Sequence, residues 1–110
     1  MKDTYQEKDL EQAILRELEK FILELGNHFS FVSRQKRIQI DNKDYRIDLL
    51  FYHRSLRRLV CIELKITDFH PSYKGTMELY LSWLNKNERL PHEEEPIGLI
   101  LCTGKSQETI

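Results

Sequence analysis

A chain of 110 residues is one domain on length alone, large enough for one hydrophobic core and too small for two. With 40% hydrophobic and 32% charged residues it reads as a soluble globular protein, and a formal net charge of −1 excludes any argument from global basicity, leaving local clusters such as Arg34 to Arg37 and His53 to Arg58 to meet an anion. No apolar run approaches the ~18 residues of a membrane span, no signal-peptide core opens the chain, and Cys61 and Cys102 stand apart outside any C-x-x-C spacing, so the expectation is a cytoplasmic protein with reduced thiols and neither a disulfide nor a zinc framework.

Residues 1–7 are polar and expected to fray. From Lys8 to Leu25 the apolar positions Leu10, Ile14, Leu15, Leu18, Phe21, Ile22 and Leu25 recur at helical spacing, and Gly26-Asn27 supplies a stop. Phe29 to Ile40 is rich in aromatic and β-branched residues and predicts a partly exposed strand, although its centre SRQKR alternates imperfectly. Asp41 to Asp44 is turn chemistry; a turn of that length sets Arg37 beside Asp48 and Gln35 two positions along on the same face.

Tyr45 to Lys65 then holds two apolar runs, IDLLFY and LVCIELK, around the basic turn HRSLRR. Both runs are apolar on both faces and so belong in the middle of a sheet. TDFHPSYKG is a loop, with Pro71 in the first turn of a second helix over 72–87, whose Met77, Tyr80, Leu81 and Leu84 repeat at helical spacing. HEEEP closes that helix, Ile97 to Cys102 is a short apolar strand, and the tail TGKSQETI is polar. The order is helix, three strands, helix, strand. A helical crossover suits parallel pairing of the last two strands, giving an α/β (α+β) fold with a mixed four-stranded sheet flanked by helices.

The chemistry concentrates in the hairpin. A fold-back near Ser55-Leu56 sets Asp48 directly opposite Glu63, and Lys65, two residues on, shares the face of Glu63. Two carboxylates forced together on a buried face repel, and each unpaired buried ion costs several kcal/mol. Lys65 can balance one charge; a divalent cation would balance the rest. Asp and Glu oxygens are hard ligands suited to Mg²⁺ or Mn²⁺, and Mg²⁺ commonly takes one or two carboxylates, water and substrate phosphate. That arrangement suits phosphodiester cleavage. The alternative for these three residues is a buried salt-bridged triad without chemistry. Arg34, Gln35 and Arg37 are either a solvated strand face or phosphate contacts, and Tyr73 and Lys74 either a plain helix start or a phosphate approach. The four histidines have no metal-ligand spacing.

The blocks LELG (Leu23 to Gly26), SRQKR (Ser33 to Arg37), IDLLFYHR (Ile47 to Arg54), LVCIELKI (Leu59 to Ile66), PSYKGTMELYL (Pro71 to Leu81) and IGLILC (Ile97 to Cys102), in that order, resemble the PD-(D/E)XK nuclease superfamily and, within it, the C-terminal nuclease module of the bacterial YhcG-type nucleases. The resemblance implies a restriction-endonuclease-like core and a Mg²⁺-dependent endonuclease acting on DNA, with Mn²⁺ as substitute. It makes Asp48 and Glu63 the metal ligands and Lys65 the catalytic lysine. A first-helix glutamate often completes the site in that superfamily. Glu11, Glu17 and Glu24 compete for the place, with Glu11 and Glu17 expected on nearly the same helical side. Ile47 stands where the superfamily commonly has proline. Such modules usually follow an N-terminal DNA-binding region, so the chain is expected to be the C-terminal module of a longer protein or a short form of it. Two other readings remain: a catalytically silent module for nucleic-acid binding or protein interaction, and a homodimer that lets two sites act on two strands.

Overall fold

The amphipathic pattern of the first segment builds α1, and the alternating and continuous apolar runs that follow build a sheet. In the computed structural model, which describes residues 2–103, the elements are α1 (Lys2–Leu25), β1 (Phe29–Ile40), β2 (Lys43–His53), β3 (Arg58–Lys65), α2 (Pro71–Asn87) and β4 (Ile97–Cys102). The first helix starts at Lys2 rather than Lys8. Residues 2–7 contain no glycine or proline, so the helix continues past its apolar stripe. Of the tail, residues 104–110 lie outside the described residues.

The sheet has the order β1-β2-β3-β4, antiparallel through β3 and parallel between β3 and β4. The hairpin strands β2 and β3 are central, as their two-sided apolar character requires. Each sheet face carries its own core. On the α2 side Ile38, Ile47, Leu50, Cys61, Met77, Tyr80 and Leu84 pack together; on the α1 side the cluster is Leu15, Ile22, Leu49, Phe51, Val60, Ile62 and Leu64. Burying each large apolar side chain is worth about 1.5–3 kcal/mol, and these two layers fix the hairpin between the helices. Both cysteines are free, Cys61 buried and Cys102 partly so. Among the described residues no helix is long and apolar enough to cross a membrane.

Turn geometry sets both registers. Asp41 and Asn42 have φ of 52° and 66°, and Ile40 pairs with Lys43, so the loop is two residues long rather than four. Consecutive left-handed residues are what a tight hairpin needs, and Asp and Asn tolerate them. The pairing therefore moves by two positions, and Arg37 faces Arg46 instead of Asp48. At the second hairpin the expected register holds: Leu49 pairs with Ile62 and His53 with Arg58. The α2 helix starts at Pro71 after an N-cap His70, whose ring accepts from Ser72 N–H. It lies so close to β4 that a Cβ on Gly98 would stand 2.5 Å from the Met77 sulfur.

Candidate active site

Strand alternation fails at one place. Ile47 and Leu50 join the same core cluster and Leu49 the other, whereas strict alternation puts residues three apart on opposite faces. The break falls at Asp48. On β1 the facing position between the pairs Arg34–Leu49 and Lys36–Ile47 is Gln35, which has φ of 56°. The β2–β3 ladder likewise runs from His53–Arg58 to Leu49–Ile62, and Asp48 and Glu63 are next in register. There the side chains take over the pairing. The Asp48 N–H donates to Glu63 Oε2 at 2.8 Å, and the Leu64 N–H donates to Asp48 Oδ2 at 2.8 Å. Each carboxylate thus satisfies a backbone donor of the opposite strand and is oriented by it, leaving its second oxygen for a ligand.

Both acids are buried, Asp48 at 4% and Glu63 at 5% exposure. Burial first, and the charge of Asp48 second, push the Glu63 carboxyl up to about 8; burial also raises Asp48, against the Leu64 N–H, Arg46 and Lys65. Burial with the same pair of charges holds the Tyr80 hydroxyl up at about 12, so that phenol stays protonated beside them. Lys65 is half-buried, and its ammonium lies 4.9 Å from the centre of the Tyr73 ring. It does not close an ion pair with either acid: among the described residues no cationic group stands within 4.0 Å of Asp48 or Glu63. A self-contained salt-bridged triad is therefore absent from the described residues.

An open cleft of about 430 Å³ holds Asp48, Glu63 and Lys65, and its other walls are Glu11, Arg37, Asp44, Tyr45, Arg46, Leu64 and Tyr80. Of the first-helix glutamates, Glu11 lines it. Glu17 is exposed and pairs with Lys20 at 3.7 Å, and Glu24 is exposed. The expectation that Glu11 and Glu17 share a side fails on helix geometry, since six residues at 3.6 per turn leave them about 120° apart.

Arg34 turns to α1 and pairs with Glu19 at 2.9 Å. Gln35 does not reach the acidic face either. It lines a separate cavity of about 70 Å³ with Gln12, Leu15, Arg16 and Arg34, because its left-handed backbone turns it away although the register sets it opposite Asp48. Arg37 does line the cleft, Tyr73 carries Lys65, and Lys74 is exposed outside the cleft walls. Arg46 lines the cleft as well, and its sequence signal is its place two residues before Asp48, the strand period.

The donor set fits a divalent cation. Two oriented, buried hard carboxylates have no cation within 4.0 Å among the described residues, and an open cleft with a third carboxylate, Glu11, leaves room for water and phosphate. Among the described residues no group of three His, Cys, Asp or Glu side chains could hold a metal ion, so the fit rests on the Asp48–Glu63 pair.

The sequence profile described as the YhcG PDDEXK nuclease domain matches residues 1–110. The chain is 47% identical over 105 residues to the protein named "Putative nuclease YhcG" of Escherichia coli (strain K12), covering 96% of this chain and 28% of that protein. It thus spans little more than a quarter of that relative's length. No solved structure matches the chain. A four-stranded mixed sheet in the order αβββαβ is the restriction-endonuclease-like arrangement, and the match covers every element of it. The chain belongs to the YhcG PDDEXK nuclease domain family.

Proposed function

We propose that this domain hydrolyses phosphodiester bonds in DNA with the help of Mg²⁺, for which Mn²⁺ substitutes. The observation that carries the reading is the buried Asp48–Glu63 pair, oriented by backbone N–H groups, without a cation within 4.0 Å among the described residues, and open to a cleft shared with Lys65. Asp48 and Glu63 would hold the metal, with Glu11 approaching from α1. A bound divalent cation supplies positive charge against the phosphoryl oxygens and acidifies an attacking water.

The chain's own groups do the rest. The Asp48 and Leu64 N–H bonds fix each carboxylate before substrate arrives, so little reorganisation is needed at the moment of reaction. Lys65, steadied against the Tyr73 ring, orients the water and meets the negative charge that develops on the phosphoryl group. Tyr80 stays neutral and can donate without competing for the metal.

The test is cleavage of duplex, single-stranded and branched DNA, and of RNA, in Mg²⁺ or Mn²⁺, by wild type and by Glu63→Gln and Lys65→Ala. Metal-dependent cleavage of DNA by wild type, lost in both variants, is expected. Equal activity in all three proteins would remove the mechanism; cleavage of RNA alone would remove the assignment to DNA.

A further inference from the structure

Two arginines face each other in the cleft wall, and among the described residues neither closes an ion pair. Arg37 on β1 and Arg46 on β2 are partners in the antiparallel register. Side chains opposed in this way have Cβ atoms ~4.5–5.5 Å apart, and like charges so placed destabilise the strand pair. Both line the cleft that holds Asp48, Glu63 and Lys65, and both are exposed.

The neighbouring cations on β1 are paired. Arg34 bonds Glu19 at 2.9 Å and Lys36 reaches Glu88 at 3.9 Å. Among the described residues Arg37 and Arg46 have no carboxylate within 4.0 Å. Asp44, the remaining acid at this end of the cleft, accepts a hydrogen bond from Gln39 at 3.2 Å. Arg46 acts on Asp48 and Glu63 only through space, from beyond ion-pair distance, and its guanidinium stays exposed.

An anion between the two guanidinium groups would remove their repulsion, and the planar guanidinium fork matches two oxygens of a phosphate. The position is informative. Arg46 precedes Asp48 by two residues, about 6.6 Å along a strand. That distance is of the order of the separation of successive phosphates along one nucleic-acid strand. We infer that Arg37 and Arg46 form a two-arginine clamp for the backbone phosphate adjoining the scissile one. The inference rests on the proposed nuclease reading and deepens it: the substrate must carry a phosphate beyond the cut on the β1–β2 side, and affinity from this clamp is indifferent to base sequence.

The experiment measures anisotropy of a fluorescein-labelled 20-base-pair DNA duplex, and of one of its strands alone, with the full chain in Ca²⁺ at 50 to 200 mM salt. Arg37→Ala and Arg46→Ala are each expected to weaken binding roughly tenfold and to reduce the salt slope by about one. The double variant should lose less than the product of the two factors, because one phosphate is shared. Circular dichroism should show both single variants folded, melting at or above wild type because the like-charge repulsion is gone. In a substrate with one neutral methylphosphonate next to the cut, wild type should lose affinity by a comparable factor and the double variant should lose none. Wild type that binds and cleaves while its arginine variants bind equally well overturns the clamp alone. Strictly multiplicative losses, with the methylphosphonate still weakening the double variant, overturn it too. Wild type that neither binds nor cleaves overturns the clamp and the nuclease reading together.

Discussion

Replacing Glu63 by glutamine is expected to rescue the metal-free protein from destabilisation at high pH. In the native chain, burial first and the charge of Asp48 second hold the Glu63 carboxyl at about 8, against 4.5 for a free glutamate. The native state therefore keeps a proton that the unfolded chain releases. The stability this group contributes is fully present below pH 4.5 and is lost as the pH rises through about 8. At ~1.4 kcal/mol for each pH unit between those values, the loss reaches roughly 5 kcal/mol. A domain is commonly stable by about 5–15 kcal/mol in all, so the loss is a large share of what holds metal-free wild type together at pH 4.5.

Glu63→Gln keeps the side-chain shape and an oxygen for the Asp48 N–H, but it carries no charge. Its curve should be much flatter, with a residual slope of the same sign from Asp48, which burial also raises. Urea unfolding in EDTA from pH 4.5 to 9 reads this directly, because the two proteins differ only at residue 63. Saturating Mn²⁺ should restore wild type, by about 2.7 kcal/mol at a hundredfold excess over Kd, and should do little for the variant. Parallel stability curves for the two proteins in EDTA would refute the reasoning.

Three further outcomes follow from named contacts. Glu11→Gln should weaken Mn²⁺ binding measured by calorimetry and Glu17→Gln should not, because only the former residue lines the cleft; equal effects would remove Glu11 from the site. Gly98→Ala should destabilise by about 1–3 kcal/mol in thermal unfolding, since its Cβ would meet the Met77 sulfur at 2.5 Å, and the same substitution should cost less when made in a Met77→Ala background, where that sulfur is gone. Tyr73→Leu removes the ring under Lys65, a contact worth about 0.5–1 kcal/mol, so cleavage should slow a few-fold at unchanged Mn²⁺ affinity while Tyr73→Phe stays near wild type.

The part of the site made by one hairpin was legible in the sequence. The basic turn at His53 to Arg58 is short, so folding back there opposes Asp48 and Glu63 without outside information, and the paired strands confirm that register up to the adjoining residues. Strand β4 and the second helix were legible too, because IGLILC and the spacing of Met77, Tyr80 and Leu84 are unambiguous. What depended on backbone conformation was not. Nothing in DNKD announces that Asp41 and Asn42 both turn left-handed, and that choice moved Arg37 from Asp48 to Arg46. The kink at Gln35, which sends its side chain to α1 and coincides with the lost alternation at Asp48, is a tertiary compromise between two strands. Selecting Glu11 among the helix glutamates needed the angle at which α1 lies over β1 and β2.

Binding of a divalent cation by Asp48 and Glu63 together is read by anomalous scattering from crystals of wild type and of Asp48→Asn/Glu63→Gln soaked in millimolar Mn²⁺. A manganese peak is expected between the two carboxylates of wild type, in contact with the oxygens not used by the Asp48 and Leu64 N–H groups, and no peak in the double variant. A wild-type site without manganese, or the same peak in both proteins, would contradict it.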